Sequence, residues 1–342
     1  MKAVIMAVRT ARQTRRLRSR VRVRRAGKHR RAHRHHAARA QRKKATGLSW
    51  SEAGPGYETS AGTEYELGYR RGMVDGAEKL LEHHLPADRI IPDVTADEAM
   101  AAGVQALRIR SLPLIGIDRV FEELDGAARE RRPYSFIRLG DGELMTLAQE
   151  VVMPVSELRT SSPFLPYAGI VVPDLSARDR LAEAIRSATL VGVPVSRQPQ
   201  YQPLLFRVLH AHGIPCANLS LTTSTMNYSL YEHDCLPRLL GGRKLLLVGN
   251  VANELAMAFK AQGYHVAGVV SPVKGFGDVD RVVAESAAHD FDFALVSAGI
   301  PAIPIVVGLA ARTGKVAIDF GHLADRIAGV KTRISSLSSD EG

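Results

Sequence analysis

One stretch of the chain brings two carboxylates together at the end of an expected strand. The apolar run Phe136–Leu139 predicts a short strand, which breaks at Gly140-Asp141-Gly142-Glu143 before a helix starting near Glu143. Two acids one residue apart can share one hard cation, and Mn²⁺ or Mg²⁺ carrying a diphosphate suits such a pair. Glycine at positions 140 and 142 would let a ligand approach the backbone closely.

The same four residues also have a structural interpretation. Asp141 would cap the helix, and Glu143 would occupy its first turn, where the helix dipole favours acids and no metal is needed. The tetrapeptide by itself does not separate the two interpretations, so both stay open.

The elements that must position these residues follow an alternating pattern after Tyr134. Short β-rich runs alternate with helical runs, which predicts an α/β protein with a doubly wound, mostly parallel sheet of about seven strands. Strands are expected near 136–139, 189–193, 216–220, 244–248, 265–270, 293–297 and 315–319. Helices are expected near 143–150, 177–187, 201–212, 251–262, 279–289 and 301–312, with one start marked by Ser176 and three ends marked by Gly213, Gly263 and Gly314.

Small or polar residues follow nearly every expected strand. In a parallel sheet these positions converge on the edge where ligands bind, although each residue also has an interpretation as turn chemistry. Asp278 and Asp280 are interpreted as helix N-terminal acids. The small or polar residues that follow the expected strands are Ser196, Arg197, Gly249, Asn250, Lys274, Gly299, Asp319 and His322.

The positive charge of the chain is concentrated near its beginning. Residues 1–45 hold 18 of the 46 Lys and Arg and no acid, which leaves 28 basic against 35 acidic side chains, a formal −7, in residues 46–342. The body therefore lacks the electrostatic basis for sequence-specific nucleic-acid binding. The segment Arg9–Lys44 has too few apolar residues to order itself, so we predict disorder. It would either attach to a polyanion or membrane surface or serve as a solvated extension.

The composition along the chain suggests four parts. These are a tail and linker over 1–62, a helical segment over 63–132, a catalytic domain over 133–330 and a flexible end over 331–342. In the helical segment, Gly68, Gly72 and Gly76 recur every four residues, which favours close approach of another helix. Long loops are expected over 151–175 and 221–240.

The sequence also bears on the cellular compartment. No apolar run reaches the roughly 18 residues of a membrane span, and no secretory segment follows Met1, so we expect a cytoplasmic protein. Cys216 and Cys235 match no metal-binding spacing and are expected to be reduced.

Three motifs occur in a fixed order: Arg138-Leu-Gly140-Asp141-Gly142-Glu143, then Ser196-Arg197, then Asp319-Phe-Gly-His322. This ordered set resembles the GT-D-type glycosyltransferases, a bacterial family with a Rossmann-like fold and a metal-binding Asp-x-Glu motif. Several members of that family build glycans on surface proteins. The resemblance spans about residues 134–325.

The resemblance implies a role for each matched residue. Asp141 and Glu143 would hold Mn²⁺ or Mg²⁺ against the diphosphate of a nucleotide sugar, a UDP-sugar being the first choice. Asp319 or His322 would act as the catalytic base toward a glycan or glycoprotein acceptor. Met226-Asn227-Tyr228 is a candidate contact for the acceptor or for the nucleoside base of the donor. The remaining residues assigned to donor binding are Arg138, Gly140, Gly142, Ser196, Arg197, Gly249, Asn250, Lys274 and Gly299.

Two other function classes compete with hexosyl transfer. A methyltransferase or nucleotide-dependent oxidoreductase could use a similar sheet, but no Gly-x-Gly-x-x-Gly follows the first strand. A non-catalytic nucleotide-sugar-binding or scaffold protein, tethered by the basic tail, would bind the donor without turnover.

Overall fold

The computed structural model describes residues 60–330, with side chains from Glu64 onward. The chain divides into two compact units, of which the first ends at Leu107 and the second begins at Arg108. The basic segment Arg9–Lys44, most of the predicted linker and the predicted flexible end 331–342 lie outside the described residues.

Two helices form the described part of the first unit, α1 (Ser60–His84) and α2 (Ala96–Ala106). A capping box starts α2, because Thr95 Oγ1 accepts a hydrogen bond from the Glu98 backbone and the Thr95 backbone donates to Glu98 Oε2. Glu78 Oε1 on α1 accepts from the Ala96 backbone at 2.9 Å and ties the two helices together.

The second unit alternates strands with helices, as the sequence predicts. Its strands are β1 (Tyr134–Arg138), β2 (Leu190–Val193), β3 (Leu221–Thr223), β4 (Lys244–Gly249), β5 (His265–Val270), β6 (Phe293–Ser297) and β7 (Val316–Asp319). Its helices are α3 (Ile117–Glu130), α4 (Asp141–Ala148), α5 (Val155–Ser161), α6 (Leu175–Ser187), α7 (Gln202–Ala211), α8 (Met226–Glu232), α9 (Cys235–Leu240), α10 (Ala252–Ala261), α11 (Val279–Ala287), α12 (Ala302–Thr313) and α13 (Leu323–Ala328).

All seven strands are parallel and lie in the order β3-β2-β1-β7-β6-β4-β5. Each face of the sheet is covered by an apolar core, one built with α4 to α7, α11 and α12, the other with α3, α8 to α10 and α13. Because both faces are buried, the strands are continuous apolar runs. The predicted doubly wound α/β fold is confirmed.

Some element predictions are wrong. Residues 216–218 form a 3₁₀ turn, and the third strand lies at Leu221–Thr223 instead of 216–220. The predicted long loops contain α5, α8 and α9, which have six or seven residues each. Asp174, and not Ser176, caps α6, since its Oδ1 accepts from the Ala177 backbone at 2.9 Å.

The three predicted helix ends are confirmed. Gly213, Gly263 and Gly314 follow α7, α10 and α12 with positive φ angles of 62°, 85° and 68°, the left-handed conformation that ends helices. Cys216 and Cys235 are both free thiols. Among the described helices, none combines the length and the apolar character that a membrane crossing requires.

Candidate active site

The candidate site lies at the carboxyl edge of the sheet, where β1 and β7 are neighbours. The chain fills one half of the sheet with β2 and β3 and the other half with β6, β4 and β5, so the strand order reverses between β1 and β7. Open α/β sheets bind ligands at such a reversal. Here β1 ends at Arg138 and β7 ends at Asp319.

Arg138 connects three segments at this edge. Its Nε donates to the Asp319 carbonyl at 3.0 Å, and its Nη2 contacts Asp319 Oδ1 at 3.1 Å. Its Nη1 donates to the Ser224 carbonyl at 3.2 Å and to Asn227 Oδ1 at 3.3 Å. Four of the five guanidinium N–H groups are thus used within the protein. Arg138, which the sequence analysis assigns to donor binding, thus joins the ends of β1 and β7 to the loop after β3.

Two glycines make room for this arginine. Gly321 has a φ of 54°, and a Cβ atom there would overlap the Arg138 guanidinium. Gly192 on β2 lies against the other side, where a Cβ would be 3.2 Å from Arg138 Cγ. The absence of side chains at both positions is therefore what allows the arginine to reach Asp319.

Asn227 is a residue whose role the sequence did not reveal. Its buried side chain accepts from Arg138 and donates through Nδ2 to the Phe320 carbonyl at 2.9 Å. The first turn of α8 is thereby fixed to the turn that carries His322. Only the position of Asn227 at a strand-to-helix turn hinted at a role, because its partners are 89 and 93 residues away.

The two acids after β1 both contact backbone at the start of α4, which begins at Asp141, two residues earlier than predicted. Glu143 Oε2 accepts from the Gly140 backbone at 2.8 Å, and Asp141 Oδ1 accepts from the Gly142 backbone at 2.9 Å. The structural interpretation is right for Glu143, which lies in the first turn of α4 and accepts from the Gly140 backbone. It is wrong for Asp141, because Gly140 is the N-cap residue and Asp141 is the first residue of the helix. Within the described chain, Asp141 Oδ2 and Glu143 Oε1 have no hydrogen-bond donor.

The site holds more acid than base. Burial, together with the negative charge of Asp319, raises the pKa of Glu143 to about 7. Burial also raises the pKa of Asp319, and the Arg138 guanidinium opposes this shift. A bound cation would relieve the repulsion between the two carboxylates.

The carboxylate oxygens at this turn are compatible with a divalent ion that is also bound by a substrate. In residues 60–330, no group of three or more Cys, His, Asp or Glu side chains could hold a metal ion. The chain would therefore supply the unpaired oxygens of Asp141 and Glu143, and the remaining ligands would be phosphate oxygens and water. Mg²⁺ is commonly held in this way, by one or two carboxylates plus substrate phosphates.

Gly142 and Gly299 serve the packing of a covering segment, 164–169. A Cβ at Gly142 would lie 3.3 Å from Ile300 Cδ1 and 3.6 Å from Phe164 Cε2. A Cβ at Gly299, whose φ is 62°, would lie 2.7 Å from the Ala168 carbonyl oxygen, which also accepts from the Ile300 backbone. The two glycines let this segment close over the carboxylate turn.

Ser196 and Arg197 follow β2, directly beside β1. Ser196 is half-buried, and its Oγ accepts from the Gln198 backbone at 3.3 Å. Arg197 is exposed and forms no ion pair with any described residue. The same loop ends at Tyr201, whose pKa is raised by burial and by the charge of Asp141.

Three further predicted residues lie on the other half of the sheet. Gly249, with a φ of 139°, packs against the Ser297 carbonyl, and Asn250 Oδ1 accepts from the Val273 backbone at 2.8 Å. Lys274 is exposed and follows β5, the edge strand. With strands about 4.8 Å apart, β5 is about 19 Å from β1. Gly249 and Asn250 therefore lie away from the carboxylate turn. The loop that carries Lys274 returns toward the covering segment 164–169, because Gly275 packs against Gly169.

His322 lies at the turn after β7. Its Nδ1 is 3.1 Å from Asp325 Oδ2, and its side chain is 65% exposed. The hydrogen bond to Asp325 raises the pKa of His322, while burial and Arg138 oppose this shift. No described residue forms a hydrogen bond with its Nε2.

A separate cavity of about 340 Å³ is lined by Arg312, Thr313, Lys315 and three alanines. Lys315 directly precedes β7, so the cavity lies at the amino edge of the sheet. It is not part of the candidate site.

Comparison with known proteins gives one family match. Residues 115–327, more than half of the chain, match the family model described as a GT-D fold-like domain. No curated protein matches the chain.

Two solved structures are similar to the chain. One is a selenomethionine-substituted structure of domain of unknown function 1792, and the other is described as showing that this highly conserved domain has a distinct glycosyltransferase fold. Each has 17% identity and a TM-score of 0.41, over 65% of this chain and 88% of the other. A likeness at this level does not bear on activity.

Proposed function

The chain belongs to the GT-D-like family and is a glycosyltransferase, and we propose that it transfers a hexose from a nucleotide sugar to a glycan or glycoprotein hydroxyl with the help of Mn²⁺ or Mg²⁺. A UDP-sugar is the proposed donor. Membership of this family leaves the methyltransferase and oxidoreductase alternatives without support.

One observation carries the proposal: acids from β1 and β7 meet at the strand-order reversal and outnumber the cations there. Glu143 and Asp319 are close enough for their charges to interact, and within the described residues the one ion pair that either acid forms is that of Asp319 with Arg138. A cation bound between these acids and a diphosphate would neutralise both. Stabilising the leaving nucleoside diphosphate is the main electrostatic task in glycosyl transfer.

Asp141 and Glu143 would hold the metal through their unpaired oxygens. The metal would supply charge stabilisation for the departing diphosphate. Arg197, exposed on the loop after β2, would contact the phosphates, for which a guanidinium fork is suited. Arg138 would position Asp319 and the neighbouring turn instead of contacting the donor, because its N–H groups are already engaged.

His322 would act as the general base. Its Nδ1 is oriented by Asp325, so Nε2 is the nitrogen that would remove the acceptor proton. Asp319 would not perform this step, because it is buried and paired with Arg138. Asp319 would hold the Arg138 guanidinium in place through their ion pair.

The test is a turnover assay of the full chain on a panel of UDP-, GDP- and dTDP-sugars, with Mn²⁺, Mg²⁺ or EDTA. We expect metal-dependent hydrolysis or transfer from at least one donor and its loss in Asp141→Asn. Glu150→Gln, an exposed acid just beyond α4, is the control for charge removal.

Two outcomes would contradict the proposal. Turnover that persists undiminished in EDTA would exclude the metal. Donor binding without turnover under all conditions, with binding unchanged in Asp141→Asn, would instead favour the non-catalytic nucleotide-sugar-binding alternative.

A further inference from the structure

The two helices of the first unit enclose almost no core. Over residues 64–107, Ala96 is the one buried side chain, and Ala77, Leu81, Leu85 and Ala99 are half-buried. Helices of this size depend on tertiary packing for most of their stability. A helix pair with so little buried surface therefore needs a further partner.

One face of α1 is uncovered. Its half-buried residues Ala77 and Leu81 lie toward α2, where Glu78 also contacts the Ala96 backbone. On another side, residues three and four apart form one stripe, since such residues share a helix face. We call this stripe the glycine face, and it consists of Tyr65, Gly68, Tyr69, Gly72, Met73, Gly76 and Leu80.

The glycine face is apolar and exposed. Tyr65, Tyr69, Met73 and Leu80 are between 59% and 76% exposed, and the two tyrosine rings stack at 6.5 Å. A Cβ atom at Gly68, Gly72 or Gly76 would meet nothing within 4 Å. Three missing side chains along one face allow the backbone of another helix to come close, yet within the described chain no segment does so.

The charges beside this face alternate in sign. Glu64, Arg71, Asp75 and Lys79 are spaced by seven, four and four residues, so they line one flank of the glycine face. None of the four forms an ion pair with a described residue. When α1 is placed antiparallel to a copy of itself with Gly72 near the axis, Glu64 faces Lys79 of the other copy, and Arg71 faces Asp75.

We propose that the glycine face is a self-association surface, on which α1 of a second copy packs antiparallel with Gly72 near the twofold axis. Each copy then contributes the same residues to the contact, as an isologous interface requires. All four flanking charges find partners of opposite sign, and the exposed tyrosines, Met73 and Leu80 are removed from water. A parallel pair would not juxtapose these charges, because opposite flanks meet in that arrangement.

Cysteine cross-linking of the full chain tests the geometry. Met73→Cys places a thiol near the axis without adding volume to the helix crossing, so mild oxidation is expected to give a covalent dimer of twice 37.2 kDa. In the antiparallel arrangement, two copies of residue 80 are about 24 Å apart, beyond disulfide reach, so Leu80→Cys is expected not to cross-link.

Two controls accompany this experiment. Leu67→Cys places a thiol at a 65% exposed position off the glycine face and is expected to remain monomeric on the denaturing gel. The chain without an added cysteine reports on Cys216 and Cys235. Cross-linking through Leu80→Cys, with or without Met73→Cys, would indicate a parallel pair, and cross-linking through Leu67→Cys alone would assign the contact to another face; either result overturns the proposal.

Charge reversal tests the flank independently. Glu64→Lys alone and Lys79→Glu alone each turn two attractive contacts into two repulsive ones, so each is expected to raise the dimer dissociation constant about tenfold. The double variant is expected to return to within about twofold of the unmodified chain. Sedimentation equilibrium measures all four proteins, and circular dichroism confirms that helix content is unchanged.

A full chain that sediments as a monomer at every concentration would overturn the proposal, as would a dimer that the two single reversals do not weaken. Single reversals that both weaken the dimer without rescue in the double variant would also overturn it. That last result would indicate that each charge has a different partner.

Discussion

Arg138 is the residue around which the candidate site is built. Its bonds reach the end of β7, the loop after β3 and Asn227, and the glycines at 192 and 321 leave the space that it fills. A largely buried polar group with most of its hydrogen bonds made inside the protein confers rigidity and is costly to disturb. The carboxylates that would hold a metal therefore lie beside a fixed positive charge.

Substitution of Gly321 tests this packing. Gly321→Ala forces a side chain into the guanidinium, so we expect it to lower the free energy of unfolding by about 3 kcal/mol or more. Gly329→Ala is the matched control, because Gly329 has a φ of 68° and open space around it. It should lose only about 1 kcal/mol, the cost of left-handed backbone. Urea unfolding measures both free energies, and equal losses would argue against tight packing of Gly321 on the Arg138 guanidinium.

The raised pKa of Glu143 predicts a pH dependence of stability in metal-free protein. The unfolded carboxyl releases its proton near 4.5 and the folded one near 7, so the folded state binds more protons between these values. The free energy of unfolding should therefore fall as pH rises from about 4.5 to about 7, by on the order of 3 kcal/mol in total. Urea unfolding in EDTA across this range measures the change.

Glu143→Gln should remove the part of this fall that Glu143 contributes, and the raised pKa of Asp319 should leave a smaller fall. Glu183→Gln deletes an exposed acid on α6 and serves as the control for the loss of one charge. A wild-type curve that is flat or rises over the same pH range would contradict the assigned pKa shift.

The pair His322 and Asp325 predicts a shift in the pH profile. If neutral His322 is the base, kcat/KM falls as pH is lowered through its raised pKa. Asp325→Asn removes the largest cause of that shift, so the acid limb should move to lower pH. An unmoved limb would exclude His322 as the titrating base, and His322→Gln should reduce kcat about 10²-fold or more.

At the scale of the elements, the sequence predicted the strands that lie inside the sheet. Each is a buried apolar run closed by turn residues, so composition and position agree. β3 was placed five residues too early because it has only three residues, too few to show a pattern, whereas the other edge strand, β5, was predicted at its observed bounds. The short helices α5, α8 and α9 were interpreted as loops because they are too short for a period and owe their stability to packing.

The site was predicted in part for the same reason. The acids after β1 and β7 could be located, because strand ends are legible in sequence. The hydrogen-bond partners of these residues could not be predicted. Arg138 bonds to Asp319, 181 residues away, and to Asn227, 89 residues away. Such pairings depend on the strand order, which the pattern alone does not specify.

The start of α6 offers a test at this scale. Asp174→Ala removes the side chain that accepts from the Ala177 backbone, so the free energy of unfolding should fall by about 1 kcal/mol. Ser176→Ala is the control at the position that the sequence pattern favoured, and it should change little. A larger loss for Ser176→Ala in thermal or urea unfolding would contradict the assigned cap.

At the scale of the whole molecule, charge is divided between segments. The 18 basic residues of the first 45 stand against a formal −7 for the remainder. We propose that the basic segment attaches the enzyme to an anionic polymer or membrane surface, while catalysis belongs to the second unit.

Removal of residues 1–45 tests this division of labour. Sugar turnover should be retained, and binding to anionic vesicles or polymer should be lost. Added salt should likewise release the full chain from the same vesicles or polymer, because salt screens the attraction. Retention of binding by the shortened chain would remove the attachment role.

The central claim is that Asp141 and Glu143 hold a divalent ion against a nucleoside diphosphate. Calorimetric titration of Mn²⁺ into the full chain, with and without UDP, tests it most directly. Binding should be much tighter with UDP present, and Asp141→Asn should weaken it at least tenfold. Mn²⁺ binding that is indifferent to both UDP and Asp141→Asn would contradict the account.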